Sequence, residues 1–207
     1  MRKELKIKKL KLKINRGFTM IELLIVIAVL GILAVAVLAT INPIEQINRG
    51  RDTGSRSDTE QLLSAIDRYN ATQGLWPWQA TTVDSADIDW GPVSAIEDGA
   101  NCSLLSKISD GPTSDADCTV GADEVKASFS KRLQANNYNA LYMEYTNQTG
   151  NSVYVCFSPQ SGAFKTEATT RCADAAHLPG DWPVEACGGC ADLPGAIGKS
   201  DNCICLP

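Results

Sequence analysis

The chain has 207 residues, 44% of them hydrophobic, and a net charge of −5. That charge is divided unevenly, because the first 17 residues carry a net charge of +7 and the rest of the chain −12. An acidic main part lacks the basic surface that nucleic-acid binding requires, so no nucleic-acid partner is predicted. The single histidine, His177, provides no catalytic arrangement by itself, and no enzymatic activity is predicted.

An uncharged apolar run follows the basic leader. It extends from Leu23 to Ile41 and is long enough to cross a hydrocarbon core of about 30 Å as a helix. The lysines and arginines before it predict that the N-terminal end stays cytoplasmic and that the C-terminal part is exported. We therefore expect a single-pass protein of the cytoplasmic membrane.

The leader and the apolar run meet in residues 16–22, Arg-Gly-Phe-Thr-Met-Ile-Glu. A secretory signal peptide would have a shorter apolar core with its cleavage site after that core. An uncleaved anchor would insert more easily without the carboxylate of Glu22. The segment resembles the class III signal of type IV prepilins and pseudopilins, with Met20 where leucine is usual.

This resemblance implies roles for individual residues. Prepilin peptidase would cleave between Gly17 and Phe18 and methylate the new amine of Phe18. Glu22 matches the family's helical glutamate, which pairs with the N-terminal amine of a neighbouring subunit; a carboxylate in lipid requires such a cation. Gly31 and Pro43 match positions at which family helices loosen or kink. Pro43 lies later than the proline of well-known pilins, and a bend there is expected in any case because proline removes an amide donor.

One long helix is predicted from Phe18 to about Gln73. Its second half has apolar residues at helical spacing: Ile44, Ile47, Leu62, Leu63, Ile66 and Tyr69. Gly74 suits the position after a helix C-terminus, and Trp76-Pro77 beyond it is a stop signal. This helix end also resembles the corresponding region of major pseudopilins and related bacterial pilins.

The remaining residues predict one exported globular domain of ordinary size. Residues 79–121 are expected to be mostly loop with a short helical turn at Leu104-Leu105 and Ile108, and a helix is expected over Ala122 to Ala135. Alternating patterns and turn residues predict antiparallel strands. In chain order these strands are residues 140–145, 153–157 and 163–167.

The predicted fold class is α+β: a long N-terminal helix, with a membrane half and a half packed on the head, plus a small antiparallel sheet and a disulfide-rich C-terminal loop region. The expected domains are a cleaved leader, a transmembrane and assembly segment, a helix packed on the head, and an exported head with a Cys-rich tail. Their bounds are residues 1–17, 18–42, 43–75 and 76–207. The four tryptophans, Trp76, Trp78, Trp90 and Trp182, are expected to fill the core of the head.

Eight cysteines lie beyond the apolar run: Cys102, Cys118, Cys156, Cys172, Cys187, Cys190, Cys203 and Cys205. An even number confined to an exported region predicts disulfides. The spacing suggests Cys102 with Cys118 and Cys156 with Cys172, leaving the other four for the tail, although eight cysteines allow about 105 pairings. The alternative is a four-thiolate zinc site built from those last four cysteines. The spacing Cys-x-Cys in one half of it is less usual, and exported thiols are normally oxidised.

No cofactor is predicted. Major pseudopilins commonly hold calcium in a C-terminal loop, and this tail contains Asp181, Asp192 and Asp201. However, the regular alternation of ligands typical of a calcium loop is missing, and acidic residues in an acidic head are usually solvated.

Together these features predict a structural subunit, a pilin or pseudopilin, that is exported, cleaved after Gly17 and polymerised into a type IV pilus or a secretion pseudopilus. The expected partners are other copies or related pilins, prepilin peptidase, the inner-membrane assembly platform and the membrane. The final location would be an extracellular or periplasmic filament. The alternative is a membrane-anchored exported binding or enzymatic domain that uses a prepilin-like signal. Adhesion, motility, DNA uptake and secretion, and a major or a minor subunit, are all compatible with the sequence.

Overall fold

The computed structural model describes residues 17–109, 118, 121–135, 138–190, 193–198 and 200–207. The chain divides into two compact units between Asn42 and Pro43. In the first unit the described residues form one helix. The second unit contains a second long helix, a sheet and several shorter helices.

Helix α1, Met20–Thr40, is the apolar segment. It is long and apolar enough to cross a membrane, and none of its 21 residues is buried. The helix ends at Thr40, and the backbone of the following residue, Ile41, is extended with φ −95° and ψ 127°. Because the ring of a following proline disfavours helical backbone at the preceding residue, Asn42 cannot easily continue the helix into Pro43. The prediction of one uninterrupted helix is wrong at residues 41–42, where the helix is broken. The bend expected at Pro43 stays a prediction.

Helix α2, Pro43–Gln73, follows the break. Proline is well tolerated at a first helical position, where its missing amide hydrogen would have had no partner. The buried face of α2 consists of Asp52, Ser55, Thr59, Leu62, Ala65 and Ile66. The helix ends at Gln73, and Gly74 after it has a φ of +69° and donates its amide to the Asn70 carbonyl at 2.8 Å. Glycine adopts this left-handed conformation without a steric penalty, so the predicted helix end at Gly74 is confirmed.

Four antiparallel strands form one sheet in the order β1-β2-β3-β4. Their bounds are Ile88–Pro92, Leu141–Tyr145, Tyr154–Phe157 and Ile204–Leu206. The α+β class with a small antiparallel sheet is therefore confirmed, and β2 and β3 lie where the sequence predicts them. Strands β1 and β4 lie in segments that were expected to be loops. Strand β4 has only three residues, too few for an alternating pattern, and it forms because its residues pair with β3.

Three shorter α-helices complete the second unit: α3, Leu104–Ile108; α4, Ala127–Leu133; and α5, Gly162–Ala173. Single 3₁₀ turns lie at Val93–Ala95, Ala175–His177 and Val184–Ala186. Helices α3 and α4 fall within the segments predicted for them.

The strand predicted over residues 163–167 is wrong, because these residues belong to α5. Ser161 caps this helix, and its hydroxyl accepts a hydrogen bond from the Phe164 amide. Alanine, lysine and glutamate in this segment favour helix, and a Ser cap adds to that preference.

The core of the second unit lies between α2, the sheet and the short helices. Its most completely buried large side chains include Leu62, Ile66, Leu104, Met143 and Phe157. Trp78 is 3% exposed and donates its ring N–H to the Ala86 carbonyl at 2.8 Å. Trp76 stacks on Trp78 with ring centroids 5.1 Å apart. The other two tryptophans, Trp90 and Trp182, pack against a second cluster that contains four of the disulfide cysteines.

A buried carboxylate joins α2 to α5. Asp52 is completely buried, and it accepts hydrogen bonds from the Gln160 amide at 2.9 Å, the Ser161 amide at 2.7 Å and the Ser161 hydroxyl at 2.6 Å. Two turns earlier, Glu45 accepts from the Gly162 amide at 2.8 Å. Both carboxylates lie at the N-terminal end of α5, where the helix dipole favours negative charge. They hold α5 against α2.

Four disulfides connect the eight cysteines: Cys102–Cys118, Cys156–Cys205, Cys172–Cys187 and Cys190–Cys203. The predicted Cys102–Cys118 pair is confirmed. The predicted Cys156–Cys172 pair is wrong, because β4 lies beside β3 and places Cys205 opposite Cys156 with a Cα–Cα distance of 4.0 Å. The four cysteines considered as zinc ligands are divided among three of these disulfides, which leaves no thiolate among them.

We predict that Asp52→Ala lowers the free energy of unfolding by about 3 kcal/mol, because the amides at the start of α5 lose a charged acceptor in a buried position. The measurement is chemical denaturation of the full chain in detergent, followed by tryptophan fluorescence. Glu60→Ala, an exposed change on the same helix, is the control and should alter stability by no more than about 0.5 kcal/mol. A loss below about 1 kcal/mol for Asp52→Ala would contradict the role assigned to this carboxylate.

We also predict that the disulfides differ in their contribution to stability. The Cys156–Cys205 bond closes a sequence separation of 49 residues and Cys172–Cys187 one of 15. On chain entropy, replacing both cysteines by alanine should cost about 4 kcal/mol for the longer loop and about 3 kcal/mol for the shorter one. Chemical denaturation of the two double variants measures the difference. Equal stabilities, or the opposite order, would show that entropy of the unfolded chain does not determine the ranking.

Candidate processing and assembly site

The start of α1 is fixed by a reciprocal pair of side chains. The Thr19 hydroxyl accepts a hydrogen bond from the Glu22 amide at 3.2 Å, and Glu22 Oε2 accepts from the Thr19 amide at 2.9 Å. The same oxygen accepts from the Thr19 hydroxyl at 2.7 Å. This capping box satisfies amides that would otherwise lack a partner at the helix N-terminus. It places the first helical residue at Met20.

Gly17 and Phe18 therefore lie outside the helix, in irregular and exposed backbone. Phe18 is 83% exposed. A Cβ atom added at Gly17 would meet no other atom within 4 Å, so packing within this chain does not require glycine there. An exposed and non-helical segment is the kind of backbone that a peptidase can bind. A requirement for glycine at this position would come from a partner protein.

Glu22 is the only charged residue between Met20 and Thr40. Its Oε2 atom takes part in the capping box, whereas Oε1 has no hydrogen-bond partner among the described residues. The start of α1 therefore presents one carboxylate oxygen that can accept a hydrogen bond or an ion pair from another molecule. In an apolar environment such an oxygen must find a cationic or hydrogen-bonding partner.

Comparison with known proteins gives one match at this site. The model of the prokaryotic N-terminal methylation motif matches residues 12–38, which include the end of the leader and most of α1. The chain carries the class III prepilin signal of type IV pilins and pseudopilins. No curated protein and no solved structure matches the chain.

The prepilin signal supports a type IV pilin-like exported subunit. The apolar helix that could span a membrane is consistent with anchoring and export. The match ends at residue 38 and does not include the second unit. Statements about the head therefore rest on its own geometry.

Gly31 and Pro43, to which the sequence analysis also assigns roles, lie in the two long helices. Gly31 lies within α1, and a Cβ atom added to it would meet no other atom within 4 Å. Its role in loosening the helix stays a prediction. Pro43 is the first residue of α2. Sequence reasoning missed the capping function of Thr19, although a threonine three positions before a glutamate at the start of an apolar run is the pattern that predicts it.

The acidic residues of the tail do not form a metal site among the described residues. Asp181 accepts hydrogen bonds from the Ser152 amide at 2.7 Å and the Tyr154 hydroxyl at 3.1 Å, and it thereby holds its loop against the sheet. Asp201 is exposed, and Asp192 lies outside the described residues. The expected absence of a cofactor stays a prediction.

A cleft of about 610 Å³ opens beside the β2–β3 hairpin and contains Glu144, Asp181 and Trp182 in its lining. Burial raises the pKa of the Glu144 carboxyl, and the carboxylates of Glu185 and Asp89 raise it further. His177 does not line this cleft; it lies on the surface with its ring nitrogen 2.6 Å from the Asp174 carboxylate. The cleft therefore offers acidic and aromatic groups without a histidine base.

We predict that the natural protein begins at Phe18 and carries a methylated N-terminal amine. Gly17→Val should leave the fold unchanged, since nothing packs against this position, and should abolish cleavage. Mass spectrometry of the membrane-bound and assembled fractions measures both outcomes. An intact leader in assembled material would remove the pilin-like assignment.

Proposed function

We propose that this chain is a structural filament subunit. It is exported and held in the cytoplasmic membrane, cleaved after Gly17, and polymerised through α1 into a type IV pilus or a secretion pseudopilus. The observation that carries this proposal is the prepilin signal at the start of a membrane-length helix with no buried residue.

The exposed surface of α1 supports assembly through this helix. Its 21 residues are almost all apolar, and none is buried by the part of the chain that the structure describes. Each large aliphatic side chain left in water forgoes about 1.5–3 kcal/mol of burial free energy. Lipid covers this surface while the protein is in the membrane. Helices of neighbouring subunits replace the lipid when the protein leaves the bilayer.

The charges at the start of α1 support a specific docking step. Cleavage after Gly17 creates an amine on Phe18, close in sequence to Glu22. Because Thr19 engages only Oε2 of Glu22, the second oxygen is available to the Phe18 amine of a neighbouring subunit. Such a pair is stronger in apolar surroundings than in water, and it offsets the cost of keeping either charge there.

The head suits a role that depends on shape. It has its own core and four disulfides, and such bonds persist in oxidising compartments outside the cytoplasm. We propose a non-enzymatic protein whose partners are further copies or related pilins, prepilin peptidase and the inner-membrane assembly platform. The head would be presented on a filament in the periplasm or outside the cell.

The test of the docking step compares two substitutions in the capping box. Glu22→Gln keeps a side chain that can complete the box and removes the charge. Thr19→Ala keeps the charge and removes the cap, at a cost of about 1 kcal/mol. We predict that Glu22→Gln is inserted and cleaved normally but assembles poorly beside wild type, whereas Thr19→Ala still assembles.

Sheared filaments quantify assembly, and the mass of the N-terminal peptide reports cleavage. Equal assembly of Glu22→Gln and wild type would show that the pairing role is wrong. A stronger defect in Thr19→Ala than in Glu22→Gln would assign the role of Glu22 to capping. Wild-type protein that is cleaved and never enters a filament would contradict the proposed function and favour an anchored domain.

A further inference from the structure

The first turns of α2, residues 43–51, carry exposed apolar side chains that the head does not cover. We refer to residues 43–51 as the leading segment. Ile44 is 68% exposed and Ile47 57% exposed, and the first buried residue of α2 is Asp52. These isoleucines and Arg51 are spaced at i, i+3 and i+7, so they share one face of the helix.

The charge on this face is positive and is not paired with a carboxylate among the described residues. Arg51 forms no ion pair with any described carboxylate, and its guanidinium makes only a 3.5 Å hydrogen bond to the Gln160 side chain. Glu45 and Asp52, the acidic residues within and directly after the leading segment, accept hydrogen bonds from amides at the start of α5. Arg51 therefore presents a positive charge beside two exposed isoleucines, in a unit with 11 basic and 22 acidic residues.

The covalent connection to α1 limits where this face can be. Ile44 follows the last residue of α1 by four positions and Ile47 by seven. Even a fully extended chain of about 3.5 Å per residue keeps Ile44 within about 14 Å of Thr40 and Ile47 within about 25 Å. The polar layer of a bilayer extends about 5–8 Å beyond the hydrocarbon on each side. With α1 in a membrane, the leading segment remains at or near the bilayer surface.

We propose that the leading segment lies on the exported surface of the membrane before assembly, with Ile44 and Ile47 at the boundary of headgroups and acyl chains and Arg51 on the phosphates of anionic phospholipids. This proposal rests on the membrane anchoring in the proposed function. Arginine suits an anionic phospholipid surface, because its planar guanidinium binds two phosphate oxygens at once and its aliphatic stem lies along apolar surface. A helix with an apolar face and a cationic residue binds at such an interface.

The bilayer is favoured over a second copy of the chain by two of these observations. Every anchored molecule has a lipid surface within the distance that the chain between Thr40 and Ile47 can span. A second copy must first diffuse to it. The positive side chain complements phosphate directly. Each basic residue near an anionic membrane strengthens surface binding by about fivefold.

The test uses the full-length chain in vesicles of phosphatidylcholine with or without phosphatidylglycerol. A photoreactive phenylalanine analogue replaces Ile47, and mass spectrometry identifies what it cross-links. We expect a phospholipid adduct that increases with phosphatidylglycerol. The analogue at Glu60, an exposed position farther along α2, is the matched control and should give no lipid adduct.

The charge is tested by adding Arg51→Gln to the Ile47 probe. This substitution should reduce the phosphatidylglycerol-dependent increase in lipid adducts by about fivefold. Lys131→Gln removes the same charge from an exposed position on α4 and should leave the increase in lipid adducts with phosphatidylglycerol unchanged. An equal effect of both substitutions would show that only the overall charge of the head matters, and it would overturn the role of Arg51.

A third probe position separates this proposal from the proposed function. Val29 lies in the middle of α1 and must give lipid adducts if α1 is in the membrane. Lipid adducts at Val29 without any at Ile47 would overturn the surface contact and leave the anchoring intact. No lipid adduct at Val29 would overturn the anchoring itself. Cross-linked dimers at Ile47 in place of lipid adducts would assign this face to a second copy.

Discussion

The constraint on which the rest of the protein depends is that the described residues leave every residue of α1 uncovered. This helix has 21 residues, none of them buried, and only one charge. A surface of this kind is unstable in water and must be covered by lipid or by other helices. The prepilin signal supports a chain that is delivered to a membrane by this segment. The second unit must therefore be stable without any contribution from α1.

The second unit meets that requirement with its own core and its covalent bonds. Helix α2 supplies one wall of the core, and its polar buried residue Asp52 supplies an acceptor for the start of α5. A buried carboxylate is costly in isolation, but here three donors and the dipole of α5 compensate it. The disulfides join β3 to β4, and α5 to the tail, which contains little regular structure of its own.

In the proposed mechanism, Glu22 combines two functions that use different oxygens of one carboxylate. One oxygen completes a capping box with Thr19 and defines where α1 begins. The other oxygen has no partner among the described residues, and in the proposed mechanism it accepts the amine of a neighbouring subunit. One charged residue in an apolar helix would thereby serve both as a helix cap and as a docking site. The local cap keeps Phe18 outside the helix, and under this proposal the remaining oxygen would give assembly a specific contact in addition to apolar packing.

The sequence by itself determined the features that depend on neighbouring residues. The membrane-length helix, the prepilin signal, the helix end at Gly74 and the strands β2 and β3 follow from composition, spacing and turn residues within short windows. The Cys102–Cys118 disulfide also closes a short loop. Even the capping function of Thr19, which we missed, is visible in a pattern of four residues.

Only the tertiary structure decided the features that depend on distant residues. Strand β4 forms because β3 is available as its neighbour, and this pairing gives Cys156 a partner 49 residues away in place of nearby Cys172. Segment 163–167 carries local helix signals, including the Ser161 cap, and the distant Asp52 carboxylate on α2 adds hydrogen bonds at the start of that helix. The physical reason is that cross-strand pairing and buried hydrogen bonds join residues far apart in the chain, and their partners exist only once the chain has folded.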